Sequence, residues 1–570
     1  MSLAQKALRR IEVRHDGEVY ANRPPTKWGN RDVFPVPIEQ QRFTAVSFLS
    51  FWVIFSMSVT SWAYGGSILE LGLSIGEGVG CIVVASLFVA LFGYLCGDPG
   101  AFMHLGFVNF SSHDRAHPHL PICRFTAMAR ATFGLYGAYL PVLLLVFENV
   151  VFFGIHGYFG GIAAVIVISA MSSSFKNMKN TLPESAGITS QNLIGFVVYI
   201  VVFLILLLTV HPSKMRIWVW PAACCVAVCF FGILGWAISA NHGSPGHLLA
   251  PEVHISSTQR SWAMVYAITS AAGSTTAFSV RFSDWTRFSK TRHAPVPSLI
   301  AGAPTFGCLS AVFGILATSA VYSRYKVVTW NPVALLIYLQ KTQYTPACRA
   351  ATFFAGLGLF AGLVMNNLMG KILSAGMDTA GLFPKYITTR RGSVILVVIG
   401  VLIQPWRFVT QSSTFLTVLS SFGVFVAPLT GILVADYWLV RRRKWKVPDI
   451  FDQDGIYWYK YGVNWRAMVA FFLSFVFSMP GFVASVDNDS IAIGWTHVYQ
   501  ACYMINIAIA FAVFYGLSIA FPPAGLGEAE PWDTGAPNET DSARADIPVI
   551  LDEKDENATQ VEDLSASARV

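Results

Sequence analysis

The run MNNLMGKILSAGMDTAGLFPKYITTRR, residues 365–391, carries a long apolar segment into a basic loop. Lys371 lies inside it, flanked on both sides by residues that belong in lipid or in a packed bundle. An ionisable side chain within a membrane span costs a few kcal/mol or more unless it pairs or meets water, so it marks a pathway by default. The stretch therefore reads as a membrane helix that turns one charged residue toward a polar interior. It ends at an interface marked by Lys385, Arg390 and Arg391.

The rest of the chain agrees. Of its 570 residues 54% are hydrophobic and only 12% charged, far from the roughly 25% charged of soluble domains. This is an integral membrane protein. The formal charge of +7 does not point to nucleic acid, because the basic residues cluster between apolar runs and the last residues are acidic. Cys224, Cys225 and Cys229, on one apolar helix, read as packing residues, so neither zinc, another metal, a cofactor nor a disulfide framework is expected. Arg9, Arg10 and Arg14 precede any apolar run without a secretory cleavage pattern, which leaves targeting to the first span.

Windows of about twenty apolar residues fall at 45–70, 76–96, 136–166, 191–210, 217–239, 261–281, 297–321, 348–377, 392–405, 411–439, 467–485 and 496–521. Pro405-Trp406-Arg407 truncates the ninth. With a cytoplasmic N-terminus, Arg115, Arg124 and Arg130, then Lys214 and Arg216, then Arg287, Lys290 and Arg292, then Lys385, Arg390 and Arg391, then Arg441 to Lys446 all face inside, as the positive-inside rule requires. An all-α, twelve-span protein with cytoplasmic termini is expected: 1–44 as a cytoplasmic segment, 45–521 as the membrane domain and 522–570 as an acidic, disordered cytoplasmic tail. Of the late glycosylation sequons only Asn488 falls in an external loop, whereas Asn538 and Asn557 stay inside.

The first span holds Ser56, Ser58, Thr60, Ser61, Gly65 and Gly66, and the sixth holds Ser270 to Thr276, all small. Small residues permit close helix packing. Their recurrence five spans apart also fits two five-helix inverted repeats, each opening on a broken helix, followed by two C-terminal helices.

An ordered series of motifs resembles the nucleobase:cation symporter family of purine/cytosine, uracil, allantoin and thiamine permeases, in particular its fungal uracil and allantoin branch. The series runs from Asn30-Arg31-Asp32-Val33-Phe34-Pro35-Val36-Pro37 through Gly97-Asp98-Pro99-Gly100-Ala101, Gly106-Phe107, Arg130 to Gly134, and Ser185 to Thr189. It continues with Ser283-Asp284-Trp285-Thr286-Arg287, Ser374-Ala375-Gly376 with Asp378, Leu382 to Ile387, Pro405-Trp406-Arg407, Ala435 to Arg441 and Gly462 to Ala467. The loop 111–125, with three histidines, is surplus to the family and reads as a solvated cytoplasmic insertion.

The resemblance implies a broken-helix transporter whose substrate lies near the bilayer midplane against spans one, three, six and eight. Where the family's third span reads WFGIQ, with an aromatic that stacks on a planar heterocycle and an amide that binds its edge, this chain has Phe152-Phe153-Gly154-Ile155-His156. The aromatic of span six aligns with Thr275, an asparagine before the aspartate of that span becomes Arg281, and the second asparagine of span eight becomes Lys371. Arg281 and Lys371 lie where snorkelling to the interface is also open to them, and a lone histidine such as His156 often satisfies a backbone carbonyl. Glu148, Phe152 and His156 form an i, i+4, i+8 row on one helix face.

Substrate contacts are thus expected from Phe152, His156, Thr275 and Lys371, and proton coupling from Glu148 or His156. Met365 and Asn366 stand where the family's sodium-dependent members place ion-ligating hydroxyls; a thioether suits a hard cation poorly, which favours the proton. The expected function is import of a small nitrogen heterocycle, such as uracil, allantoin, another nucleobase or nucleoside, or a vitamin, across the plasma membrane. The alternatives are a transport-dead receptor of the same fold and a multi-pass membrane enzyme, for which no nucleophile elbow, metal pair or phosphate loop is present.

Overall fold

The computed structural model describes residues 12–13, 27–28, 43–102, 125–210, 216–246, 255–487 and 489–530. The motif at 30–37, Gly106 and Phe107, the surplus loop up to residue 124, Lys214, Asn488 and the chain from 531, with Asn538 and Asn557, lie outside these residues.

The helices of eight residues or more are, in order, α1 (Ala45–Ser56), α2 (Val59–Ile68), α3 (Ile75–Phe102), α4 (Phe125–Phe133), α5 (Tyr139–Met171), α6 (Ser190–Thr209) and α7 (Arg216–Ala240). There follow α8 (Ser257–Val280), α9 (Ala303–Tyr325), α10 (Pro332–Thr342), α11 (Pro346–Asn367), α12 (Leu373–Leu382) and α13 (Thr389–Leu402). The last are α14 (Ser412–Phe425), α15 (Ala427–Val434), α16 (Trp465–Val476), α17 (Met479–Asp487), α18 (Ile493–Gln500) and α19 (Cys502–Ala520). Several open on a hydroxyl that takes an otherwise orphan backbone N–H: Thr189 from Asn192, Ser256 from Gln259, Thr345 from Cys348 and Thr388 from Arg391. Among the described residues the only β pairing is three isolated bridges.

Eight of the described helices or helix runs are long and apolar enough to cross a membrane, or nine if the bent pair α16–α17 is one span. The first, sixth, ninth and eleventh expected windows are missing from the eight, each for a visible reason. The first is broken into α1 and α2. The sixth, α8, is rich in Ser and Thr. The ninth, α13, has only 14 residues and is followed by Gln404, whose φ of +53° precedes Pro405. The eleventh bends by 50° between α16 and α17.

The break in the first window is real, and its chemistry is local. Ser58 is extended (φ −124°, ψ 153°) and its Oγ accepts from the Ser61 amide, so α2 starts on its own N-cap inside the bundle. Gly65 then lets α2 lie backbone to backbone on α9, since a Cβ there would collide with the Ala311 carbonyl.

The expected break in the sixth is not found. α8 runs unbroken through Ser270 to Thr276 and turns only after Val280. The hydroxyls that look like helix breakers donate back into the helix: Ser274 to Ala271 O, Thr275 to Ala271 O and Ala272 O, and Thr276 to Ala272 O. Gly273 meanwhile brings α8 against the backbone of α14 near Leu419. The small residues here serve packing, the other reading that their composition allows.

α5 is the axis of the molecule. Its 33 residues reach about 50 Å, it is buried on nearly every face, and α6, α11, α12 and α13 pack around it. α11 and α12 form one rod, Pro346–Leu382, with a π-helical turn at Leu368–Ile372.

Several of the family-like motifs gather along α5. Beside its start, Arg292 pairs with Asp98 at 3.0 Å and Arg441 with Asp436 at 3.5 Å. Thr132 donates to Asp436, Arg130 donates to the Trp28 and Gly381 carbonyls, and Asn464 donates to Thr132 O. Beside its second half, where Pro405 lies against Gly154, Trp406 and Arg407 donate to the carbonyls of Ala186 and Ser185.

One boundary differs from expectation. Residues 522–530, assigned above to a disordered tail, return to the membrane domain: Val447 N donates to Glu530 O and Arg466 to Pro522 O. The acidic composition of the tail hides this return, which rests on backbone carbonyls that accept from Val447 N and the Arg466 side chain.

Candidate functional site

Glu148, Phe152, His156, Thr275, Arg281 and Lys371 all line one cavity of about 130 Å³, enclosed by α1–α2, α5, α8 and the α11–α12 rod. The i, i+4, i+8 row on α5 therefore faces inward as its spacing requires. Glu148, Phe152 and His156 are all at least 96% buried, at 1%, 4% and 2% exposure.

His156 is held on both sides. Asn367 spends its amide nitrogen on Phe153 O and Tyr199 Oη, so its oxygen accepts from His156 Nδ1 at 3.1 Å. His156 Nε2 meets the Thr60 hydroxyl at 2.8 Å, and Thr60 in turn contacts Ser58 at the break. The ring bridges the unwound point of α1–α2 to α11. Both of its nitrogens are engaged by side chains, not by the backbone carbonyl that its isolation in the sequence suggests.

Arg281 does not snorkel. It caps the end of α8, is 4% exposed, and pairs with Asp378 of α12 at 2.6 Å. Asn149 presents its amide oxygen to the same guanidinium. Lys371 stands on the π-turn with its Nζ 4.6 Å from the centroid of the Phe152 ring, and Phe422 lies 5.3 Å from that ring at a 31° tilt. Glu148 has one carboxylate oxygen, Oε2, with no hydrogen-bond partner.

Thr275 lines the cavity, but its hydroxyl proton is committed to its own helix. The aromatic that span six supplies is Phe278, one turn on. It packs edge-on to Trp52 at 4.8 Å and tilted against Phe55 at 4.7 Å. Trp52, Phe55, Phe278 and Asn149 are lining residues that sequence reasoning missed. The available signal was the i, i+3 pair Trp52 and Phe55 immediately before the break. Asn366 lines the cavity, whereas Met365 packs against Ala222 and Ala223 of α7.

This arrangement can hold a planar molecule between aromatic walls and meet its edges with one carboxylate, one ammonium and several hydroxyls. Among the described residues no group of three His, Cys, Asp or Glu is placed to hold a metal.

Comparison with known proteins agrees with this chemistry. The profile of a family described as permease for cytosine/purines, uracil, thiamine, allantoin matches residues 35–506. A thiamine transporter of Saccharomyces cerevisiae is 29% identical over 499 residues, covering 86% of this chain and 79% of the yeast protein. The transporter aclS of Aspergillus oryzae is 28% identical over 551 residues, covering 89% of each. Among solved structures, Mhp1, a nucleobase-cation-symport-1 family transporter in a closed conformation with bromovinylhydantoin bound, superposes with a TM-score of 0.65 at 17% identity, over 87% of this chain and 97% of that one. That likeness establishes a shared helical transporter fold. With the family profile extending over most of its length, the chain belongs to the family of permeases for cytosine and purines, uracil, thiamine and allantoin, and is a multi-pass membrane transporter, not an enzyme.

Proposed function

We propose that the protein imports a small planar nitrogen heterocycle across the plasma membrane by alternating access, in symport with a proton. The observation that carries this reading is the cavity itself: aromatic walls from three helices around a buried carboxylate and an ammonium. The family's range, the thiamine transporter among the relatives and the hydantoin in the related structure all point to compact nitrogen rings.

In this reading twelve spans cross the membrane with both termini cytoplasmic, as two five-helix inverted repeats and two further helices. Helices at every expected window and basic residues on alternate connections support it. Phe152 stacks on the ring of the substrate, helped by Phe278. Thr275 offers its hydroxyl oxygen as an acceptor, Lys371 meets an edge, and Glu148 carries the proton. His156 acts through Thr60 to hold the break in α1–α2. Met365 turned toward α7 supports the proton over sodium.

The test is uptake of labelled uracil, allantoin and thiamine by cells lacking their own permeases. Saturable accumulation that rises as external pH falls, collapses with a protonophore and ignores replacement of sodium by choline is the expected result. Binding without accumulation would make the protein a receptor, and sodium dependence would remove the proton from the mechanism.

A further inference from the structure

Four ionisable groups surround the cavity, and they fall into two kinds. Arg281 and Asp378 answer each other at 2.6 Å. Glu148 and Lys371 do not: among the described residues neither makes an ion pair within 4.0 Å, and Glu148 Oε2 has no hydrogen-bond partner.

Lys371 instead rests its ammonium on Phe152. That ring is only 4% exposed, so no planar molecule stacks on it until a neighbour leaves. Phe422, itself 4% exposed, is fixed in α14. Lys371 is less buried, on a flexible stem and in the π-turn next to Gly370, whose missing side chain makes room for Phe55. The lysine is the neighbour free to move.

We propose that Lys371 makes this site prefer heterocycles that carry an anionic oxygen over neutral and cationic ones, because such a substrate draws the ammonium off Phe152 and so uncovers the face on which its own ring stacks. This deepens, and rests on, the transport reading above. A charge-assisted hydrogen bond from ammonium to carboxylate is stronger than its attraction to a ring quadrupole, so the exchange runs toward the anion. A neutral heterocycle must displace the ammonium without giving it a partner. A cationic one meets like charge. With Arg281 already paired and the coupling proton on Glu148, the ammonium is the one charge without an ion pair among the described residues that line the cavity, and an anion balances it.

The experiment uses the purified full-length protein and two matched pairs, uracil with its 6-carboxylate orotate, and nicotinamide with nicotinate, followed by ligand-induced shift of the melting temperature at neutral pH. The carboxylate of each pair should half-saturate at a concentration about tenfold or more below its neutral partner. Lys371→Asn should erase or invert that ratio, and Lys371→Arg should keep it. The ratio in the unaltered protein already decides the matter if a variant fails to fold. Neutral members that bind as well as, or better than, their carboxylates would overturn the inference while leaving the transport reading intact. No binding by either pair would also overturn the inference, and if uracil, allantoin and thiamine are not taken up either, the transport reading falls with it.

Discussion

The ends of the bundle and its centre treat buried charge in opposite ways. At the end where α5 begins, Asp98, Asp436, Arg130 and Arg441 each have a specific partner, and none is more than 6% exposed. At the centre Glu148 is as deeply buried and Lys371 is half-buried, yet among the described residues the two share no ion pair. A buried charge with a fixed partner holds two helices in register and is costly to disturb. A buried charge without one has its interaction still to make, which is what a binding site requires.

The sharpest way to break this contrast is at the ends. Arg441→Ala leaves Asp436 uncompensated, and removal of one member of a buried pair costs about 3–5 kcal/mol. A large fall in melting temperature and loss of surface protein are expected. Melting at the wild-type temperature would mean that the ends are no more committed than the cavity. Next in size, Glu148→Gln keeps the volume and should leave melting nearly unchanged, yet abolish accumulation against a gradient while sparing exchange of labelled for unlabelled substrate. Concentrative uptake by that variant would assign the proton elsewhere. Phe152→Ala should then raise the half-saturation concentration severalfold, since stacking adds roughly 0.5–1.5 kcal/mol beyond buried area, and Phe152→Trp should be tolerated; equal affinity would exclude the ring from the contact. The smallest effect separates two truncations. Deletion after residue 530 should leave uptake and melting unchanged, whereas deletion after 521 removes the Val447–Glu530 and Arg466–Pro522 bonds and should lower the melting temperature measurably.

Much of this was legible from composition and spacing. Apolar windows located the helices because a bilayer demands both length and hydropathy, and the row Glu148, Phe152, His156 faced inward as a helical period requires. The polarity of α8 was legible too, but not its continuity, because a serine or threonine hydroxyl can cap a new helix, as Ser58 does, or donate to its own, as Thr275 and Thr276 do. Arg281 read as a snorkelling residue because only the meeting of α8 with α12 reveals Asp378 beside it. The wall of Trp52, Phe55 and Phe278 went unseen because aromatic residues in membrane helices are ordinary packing material, and spacing alone does not tell the two uses apart.

The π-turn at Leu368–Ile372 has a geometric corollary. The wide turn absorbs one extra residue, so the faces of α12 fall one sequence position, about 100°, behind the count that an uninterrupted α-helix would give. With every residue kept, Asp378 meets Arg281 at the azimuth which that wide turn sets. Removing a single residue from the turn would restore an uninterrupted α-helix and leave Asp378 at the azimuth where it meets Arg281, whereas tightening the turn with every residue kept would rotate Asp378 away by about 100°.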